Sequence, residues 1–210
     1  MSLENREFLQ EVMRKEIKDR KIPLSLGKTC PVKCTFCYEM DHSYRQTFDM
    51  PLTTQEDWDF ILNEIRAFPT RATESWVLGG NEYMEWTDLA LHPKAMDWIE
   101  EFLEKTDKNI IMFSVGYFDP KRINRLAEKY PGRINFELSV ITLGGYRKQL
   151  MPKGPSVNQV LEVLDGPAVT SANFYSFGPG TMSEDAKTIA KINKKCLLWM
   201  GCLTPLKYID

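Results

Sequence analysis

Apolar positions along this chain follow two alternating spacings, one typical of strands and one typical of helices. Continuous or alternating apolar runs predict six strands, at 23–26, 75–78, 110–114, 134–141, 169–177 and 197–203. Apolar residues at intervals of three or four predict a first helix at 3–20 and further helices between successive strands. The pattern Thr53-x-x-Glu56 predicts a capping box at the start of the helix that follows the first strand.

Repeated strand–helix units predict a parallel sheet, because parallel strands need long crossover connections and helices supply them. Six such units fall short of the eight that close a barrel. We therefore predict an α/β fold, an open partial (β/α)6 TIM-like barrel with parallel strands and the helices outside. The predicted division is an N-terminal helix over 1–22 and one core domain over 23–210. In such folds, functional residues gather at the C-terminal ends of the strands.

Composition excludes some classes of function and disfavours others. The 210 residues carry a net charge of −2 without a basic run, so a nucleic-acid partner is not expected. The N-terminus is too charged for a signal peptide and no apolar run reaches membrane-spanning length, so we expect a cytoplasmic protein without a membrane partner. Five cysteines is an odd number, which argues against a disulfide framework and favours free thiols.

Three of the cysteines lie within eight residues, at Cys30, Cys34 and Cys37, in a C-x3-C-x2-C arrangement. Three thiolates at this spacing can hold three irons of a [4Fe–4S] cluster, and one iron then remains open to a small molecule. An alternative from the same residues is a zinc site completed by His42, Cys196 or Cys202. Zinc sites more often pair their cysteines as two separate C-x2-C units, so we favour iron and sulfide.

This spacing, with the aromatic Phe36 just before the last cysteine, resembles the signature of radical S-adenosylmethionine (SAM) enzymes. The resemblance extends from about Pro23 to Leu203. It implies a [4Fe–4S] cluster on the three cysteines, SAM as the second cofactor, and Phe36 near the adenine. It also implies reductive cleavage of SAM to a 5′-deoxyadenosyl radical and hydrogen abstraction from a substrate.

The predicted strand ends carry further resemblances to that family. Gly79-Gly80-Asn81-Glu82 resembles its Gly-Gly-Glu stretch, which implies that Gly79, Gly80 and Glu82 meet the SAM amino group, although Glu82 stands one position late. The segments around Ser114 and Ser139 resemble strand ends that contact SAM. The stretch that follows, with Arg147, implies a pair with the SAM carboxylate. Each position also has a plain structural interpretation: a turn, a satisfied serine, or a solvated arginine.

The substrate cannot be deduced from these motifs. We expect a peptide or protein as one possibility, contacted by the loop 38–51, and a reductant such as flavodoxin or ferredoxin. Two other classes remain open. One is an iron–sulfur electron-transfer or sensor protein that does not cleave SAM, and the other is a zinc-stabilised binding module.

Overall fold

The structure, a computed structural model, describes residues 3–27, 30, 32, 34–35, 51–69, 74–79, 88–176, 183, 185–187, 189–190 and 196–202. Six strands form one open sheet in the order β1 to β6, and every neighbouring pair is parallel. The predicted α/β fold class with a parallel, partial TIM-like sheet is confirmed. The strands are β1 Lys21–Ile22, β2 Ser75–Leu78, β3 Asn109–Ser114, β4 Ile134–Ile141, β5 Val169–Ser176 and β6 Leu197–Cys202.

Helices alternate with these strands along the chain. A short 3₁₀ helix, Leu89–Leu91, follows β2, and residues 183, 185–187 and 189 are helical between β5 and β6. The helices are α1 Leu3–Lys18, α2 Gln55–Ala67, α3 Ala95–Lys105, α4 Pro120–Lys129, α5 Arg147–Leu150 and α6 Val157–Asp165. None of the helices in the described ranges is long and apolar enough to cross a membrane.

The two faces of the sheet differ in what covers them. Alternate strand residues, such as Met112, Phe136 and Leu138, are fully buried and share one core with α1, α2, α3, α4 and α6. Residues of the opposite parity form what we call the open face, because they are less covered. The described open-face positions of the central strands are Asn109, Ile111, Phe113, Asn135, Glu137, Ser139, Ser171, Asn173 and Tyr175.

The first strand lies two residues earlier than the sequence predicts. Its register with β2 ends at Ile22, where the Gly79 N–H donates to the Ile22 carbonyl at 2.9 Å. The following residue is Pro23, which has no N–H to donate to a ladder, so the prediction of a strand at 23–26 was wrong. The helix before it contributes Leu9, Met13 and Ile17 to the common core. The division at residue 22 stays a prediction.

The capping box of α2 is real but lies one residue from its predicted place. The Thr54 hydroxyl accepts from the Asp57 N–H at 3.2 Å, and the Asp57 carboxylate accepts from the Thr54 N–H at 2.9 Å. Thr53 instead accepts from the Ser25 N–H at 2.7 Å and so joins α2 to the segment after β1. The prediction of a capping box between Thr53 and Glu56 was wrong, because the Thr53 hydroxyl accepts a hydrogen bond from the buried Ser25 N–H instead.

We predict that Thr54→Ala lowers the free energy of unfolding by about 1 kcal/mol, since it leaves the Asp57 N–H at the start of α2 without its acceptor. Glu56→Ala is the matched control, because the contact of Glu56 within the described residues is an exposed ion pair with Arg6. Its expected effect is about 0.5 kcal/mol or less. Urea unfolding of both variants measures the difference, and equal losses would contradict the observed cap.

Candidate functional site

The cysteine segment, of which the structure describes Cys30, Val32, Cys34 and Thr35, packs at the C-terminal edge of the sheet. Val32 is buried in a small apolar cluster, separate from the main core, and half-buried Cys30 and Cys34 pack against it. The Thr35 N–H donates to the Leu150 carbonyl at 2.9 Å, which ties the segment to the end of α5. The cluster's other members come from the 3₁₀ helix, from the ends of β3, β4 and β5 and from α5: Leu91, Val115, Tyr117, Ile141, Leu150, Met151 and Tyr175.

Ile141, at the end of β4, has a left-handed backbone with φ of 70°. A β-branched residue rarely adopts this conformation, so something must hold it. The pairing of β4 with β5 also shifts between Ser139 and Ile141, which marks a bulge at this point. The result is that Ile141 contacts Val32 and Met151 in the cysteine cluster rather than the main core.

Arg147 holds the backbone on both sides of Ile141. Its Nη1 donates to the carbonyls of Val140 and Thr142, and its Nε donates to the Pro155 carbonyl at 3.2 Å. The side chain is buried, and among the described residues its Nη2 has no hydrogen-bond partner. Burial lowers the pKa of Arg147, and negative charge at Cys34 opposes that shift. The guanidinium therefore lies near Cys34.

Two buried aspartates repeat one arrangement at the ends of β3 and β4. Asp88 accepts from the Ser114 hydroxyl at 2.9 Å and from the Val115 N–H at 2.8 Å. Asp185 accepts from the Thr142 hydroxyl at 3.1 Å and from the Leu143 N–H at 2.7 Å. Each carboxylate thus fixes a strand end from a distant part of the chain.

The two hydroxyls also accept from a glycine N–H two residues further on, at Gly116 and Gly144. Sequence reasoning missed both aspartates as functional residues. A signal did exist in the repeated hydroxyl–apolar–glycine pattern, Ser114-Val115-Gly116 and Thr142-Leu143-Gly144. The pattern indicates strand ends that need an acceptor, but it does not reveal which carboxylate supplies it.

Tyr117 lies between the Asp88 network and the cysteine segment. Its hydroxyl donates to the Lys153 carbonyl, and its N–H donates to the Ser114 hydroxyl at 3.3 Å. Burial raises the pKa of Tyr117, and negative charge at Asp88, Cys30 and Cys34 raises it further. The phenol therefore stays neutral and forms an uncharged wall beside the thiols.

The predicted SAM contacts are divided between the two faces of the sheet. Gly79 has φ of 75°, and a Cβ there would come within 2.1 Å of the Leu89 Cδ1 atom, so backbone conformation and packing together favour glycine without any ligand. Ser114 lies on the covered face, and its hydroxyl donates a hydrogen bond to Asp88. Ser139 lies on the open face. A contact between Ser114 and SAM would require this network to open.

Several predicted residues lie outside the described part of the chain: Phe36, Cys37, Gly80 and Glu82, together with nearly all of loop 38–51 and His42. Within the described ranges, no three His, Cys, Asp or Glu side chains form a metal-binding group. The three-cysteine site therefore stays a prediction. Cys196 packs against the main core instead of the cysteine cluster, which weakens its case as a zinc ligand.

No protein-family model matches the chain, and no curated protein matches it. Among solved structures, it is similar to one described as native anSMEcpe with bound AdoMet and Kp18Cys peptide. The two chains are 16% identical with a TM-score of 0.54 over 89% of this chain. This chain spans about half of that protein, 51% of its length. At this level of identity the likeness shows a shared fold.

We predict that the stability contributed by Asp88 depends on pH in an unusual direction. Burial raises the pKa of Asp88 from 3.8 to about 6, against hydrogen bonds that lower it. The folded protein therefore holds the Asp88 proton more tightly than the unfolded chain does. The free energy of unfolding should fall by about 3 kcal/mol in total as pH rises from about 4 through about 6.

The Asp88→Asn variant separates this effect from other titrations. Its free energy of unfolding, measured in urea between pH 4 and pH 7.5, should change less with pH. Relative to this variant, the wild type should lose stability as pH rises. A constant difference between the two proteins over that range would contradict the assignment.

We also predict that Arg147→Lys lowers the free energy of unfolding by about 2 kcal/mol, since the single ammonium nitrogen of lysine cannot replace donors that stand at two separate positions, Nε and Nη1. Arg122→Lys is the control, because Arg122 makes partly exposed ion pairs with Asp97 and Glu100. It should cost about 0.5 kcal/mol or less. Similar urea midpoints for both variants would show that the hydrogen bonds of Arg147 do not stabilise the backbone around Ile141.

Proposed function

We propose that the chain is a radical SAM enzyme, with one [4Fe–4S] cluster on Cys30, Cys34 and Cys37. The observation that carries this proposal is the packing of Cys30 and Cys34 together at the C-terminal edge of an open parallel sheet. That edge is where parallel α/β folds bind ligands. The C-x3-C-x2-C spacing then selects the chemistry among the ligands that such an edge can hold.

The described donors fit such a cluster. Cys30 and Cys34 are half-buried, form no disulfide and pack on one small apolar cluster outside the main core. The guanidinium of Arg147 lies near Cys34, so a positive charge stands beside one of the proposed cluster ligands. Cys37 follows only three residues later, within reach of the same site.

When bound, the cluster and SAM would supply an electron and a carbon radical able to abstract hydrogen. The chain's own residues create the setting for that chemistry. Val32, Ile141 and Met151 exclude water from the part of the site that holds the cysteines, and the Tyr117 ring packs beside them. Gly79 after β2 and Ser139 near the end of β4 offer backbone and hydroxyl groups on either side of β3, where SAM would lie with Gly80, Glu82 and Phe36.

Ser114 and Arg147 contribute to the same site in a supporting manner. Both were predicted to contact SAM directly, and those contacts stay predictions. Their hydrogen bonds to Asp88 and to the carbonyls around Ile141 already position the ends of β3 and β4. Loss of either side chain would therefore disturb a bound SAM even without direct contact.

The substrate and the reductant are further parts of the proposal. The structurally similar protein is described with bound AdoMet and a peptide, which supports SAM as cofactor and a peptide or protein as substrate here. A flavodoxin or ferredoxin would supply the electron. This chain covers about half of that protein, so the particular peptide bound there is not assigned to this chain.

The test is anaerobic reconstitution with iron and sulfide, followed by SAM and dithionite, with 5′-deoxyadenosine measured by chromatography. Wild-type protein should bind about four irons per chain and form the product. Cys30→Ala, Cys34→Ala and Cys37→Ala should lose both. Cys196→Ala is the matched control and should keep both, because Cys196 packs against the main core.

The other outcomes separate the rival functions. A brown protein that yields no 5′-deoxyadenosine would indicate a cluster carrier or sensor and overturn the enzymatic proposal. A colourless protein with one zinc lost in the same three variants would indicate a zinc-stabilised module. Product that survives in Cys34→Ala would contradict the assignment of the ligands.

A further inference from the structure

The open face carries an aromatic ring and a carboxylate side by side. Phe113 of β3 and Glu137 of β4 are partners in the parallel register, so both side chains project from the same face of adjacent strands. The ring of Phe113 is 42% exposed, although it lies in a central strand. Glu137 is half-buried. Neither residue is needed by the main core, which lies on the other face.

Glu137 has no hydrogen bond or ion pair with any of the described residues. It is also the one charged side chain among the described open-face positions of β2 to β5. Glutamate is disfavoured in strands, and a half-buried carboxylate without a cation is costly. The carboxylate is therefore an acceptor that lacks a positive partner within the described chain.

A second polar group beside Glu137 also lacks a partner. Ser171 of β5 is the register partner of Glu137 on its other side. It is only 6% exposed, and its hydroxyl has no hydrogen-bond partner among the described residues. A buried hydroxyl without a partner costs about 1–3 kcal/mol, which a bound polar group would recover.

The same face continues to the cysteine segment. Val115 and Tyr175 lie two positions beyond Phe113 and Asn173 with the same parity, and both pack in the cluster with Cys30 and Cys34. Two residues along a strand span about 7 Å. A molecule bound over Phe113 and Glu137 would therefore reach the cysteine site without leaving the face.

From this arrangement we propose that Phe113, Glu137 and Ser171 form a cation pocket that binds an ammonium or guanidinium group of the substrate. A cation between the ring and the carboxylate would gain an ion pair from Glu137, a cation–π contact from Phe113 and a hydrogen bond to Ser171. This inference rests on the proposed function in one respect: it takes the molecule that carries the cation to be the substrate.

The test uses two acetylated and amidated pentapeptides, with central arginine or its neutral isostere citrulline between glycines. Dissociation constants come from backbone amide NMR of the full chain, purified anaerobically, without SAM or dithionite. The arginine peptide should bind at least about fivefold more tightly than the citrulline peptide. The shifted amides should include those of β3, β4 and β5 near the pocket.

Variants separate the two contacts. Glu137→Gln should abolish the preference for arginine, and Phe113→Leu should weaken the arginine peptide by about threefold while leaving the citrulline peptide unchanged. Glu162→Gln, at an exposed position on α6, is the control and should match the wild type. Thermal unfolding checks that each variant is folded. If Glu137→Gln does not fold, Phe113→Leu and the comparison of the arginine and citrulline peptides still test the pocket.

The proposal is overturned by equal affinity for both peptides, by a preference that survives in Glu137→Gln, or by amide shifts elsewhere on the chain. Absence of saturable binding up to about 10 mM would also overturn it. These outcomes leave the 5′-deoxyadenosine experiment untouched, because no SAM is cleaved in the titration. Conversely, a pocket that binds arginine in a chain that makes no 5′-deoxyadenosine would keep the pocket and remove the radical SAM proposal.

Discussion

The left-handed backbone of Ile141 is the constraint on which the candidate site depends. Such a conformation costs about 1–3 kcal/mol for a residue other than glycine, so it persists only when its surroundings enforce it. Arg147 enforces it through the carbonyls on either side, and Asp185 fixes the two residues that follow. The strained turn brings an apolar side chain against Val32, and with it the cysteine segment to the edge of the sheet.

This geometry relates the sheet to the chemistry we propose. One face of the sheet is fully used by the helices, so it supplies stability and holds the strand ends in register. The other face carries polar and aromatic side chains that the main core does not include, and it leads to Cys30 and Cys34 at its C-terminal edge. Buried polar groups such as Asp88 lie at the junction, where they fix short turns that apolar packing alone could not specify.

The sequence predicted the fold well, because the period of apolar residues depends only on local geometry. The predicted β1 was misplaced because Pro23 has no N–H to donate to a neighbouring strand, an effect that the apolar pattern does not show. The predicted α2 cap was misplaced because the Thr53 hydroxyl accepts a hydrogen bond from the Ser25 N–H. The cysteine motif was evident from spacing alone. The roles of Asp88, Asp185 and Arg147 were not, because their partners are set by tertiary contacts between distant segments.

Mössbauer spectroscopy of protein reconstituted with ⁵⁷Fe, recorded with and without SAM, tests the central claim most directly. If three cysteines hold a [4Fe–4S] cluster with one open iron, SAM should shift about one quarter of the iron signal and leave the rest unchanged. A [4Fe–4S] spectrum that SAM does not alter, or iron that does not assemble into a cluster, would contradict a SAM-binding iron at this edge of the sheet.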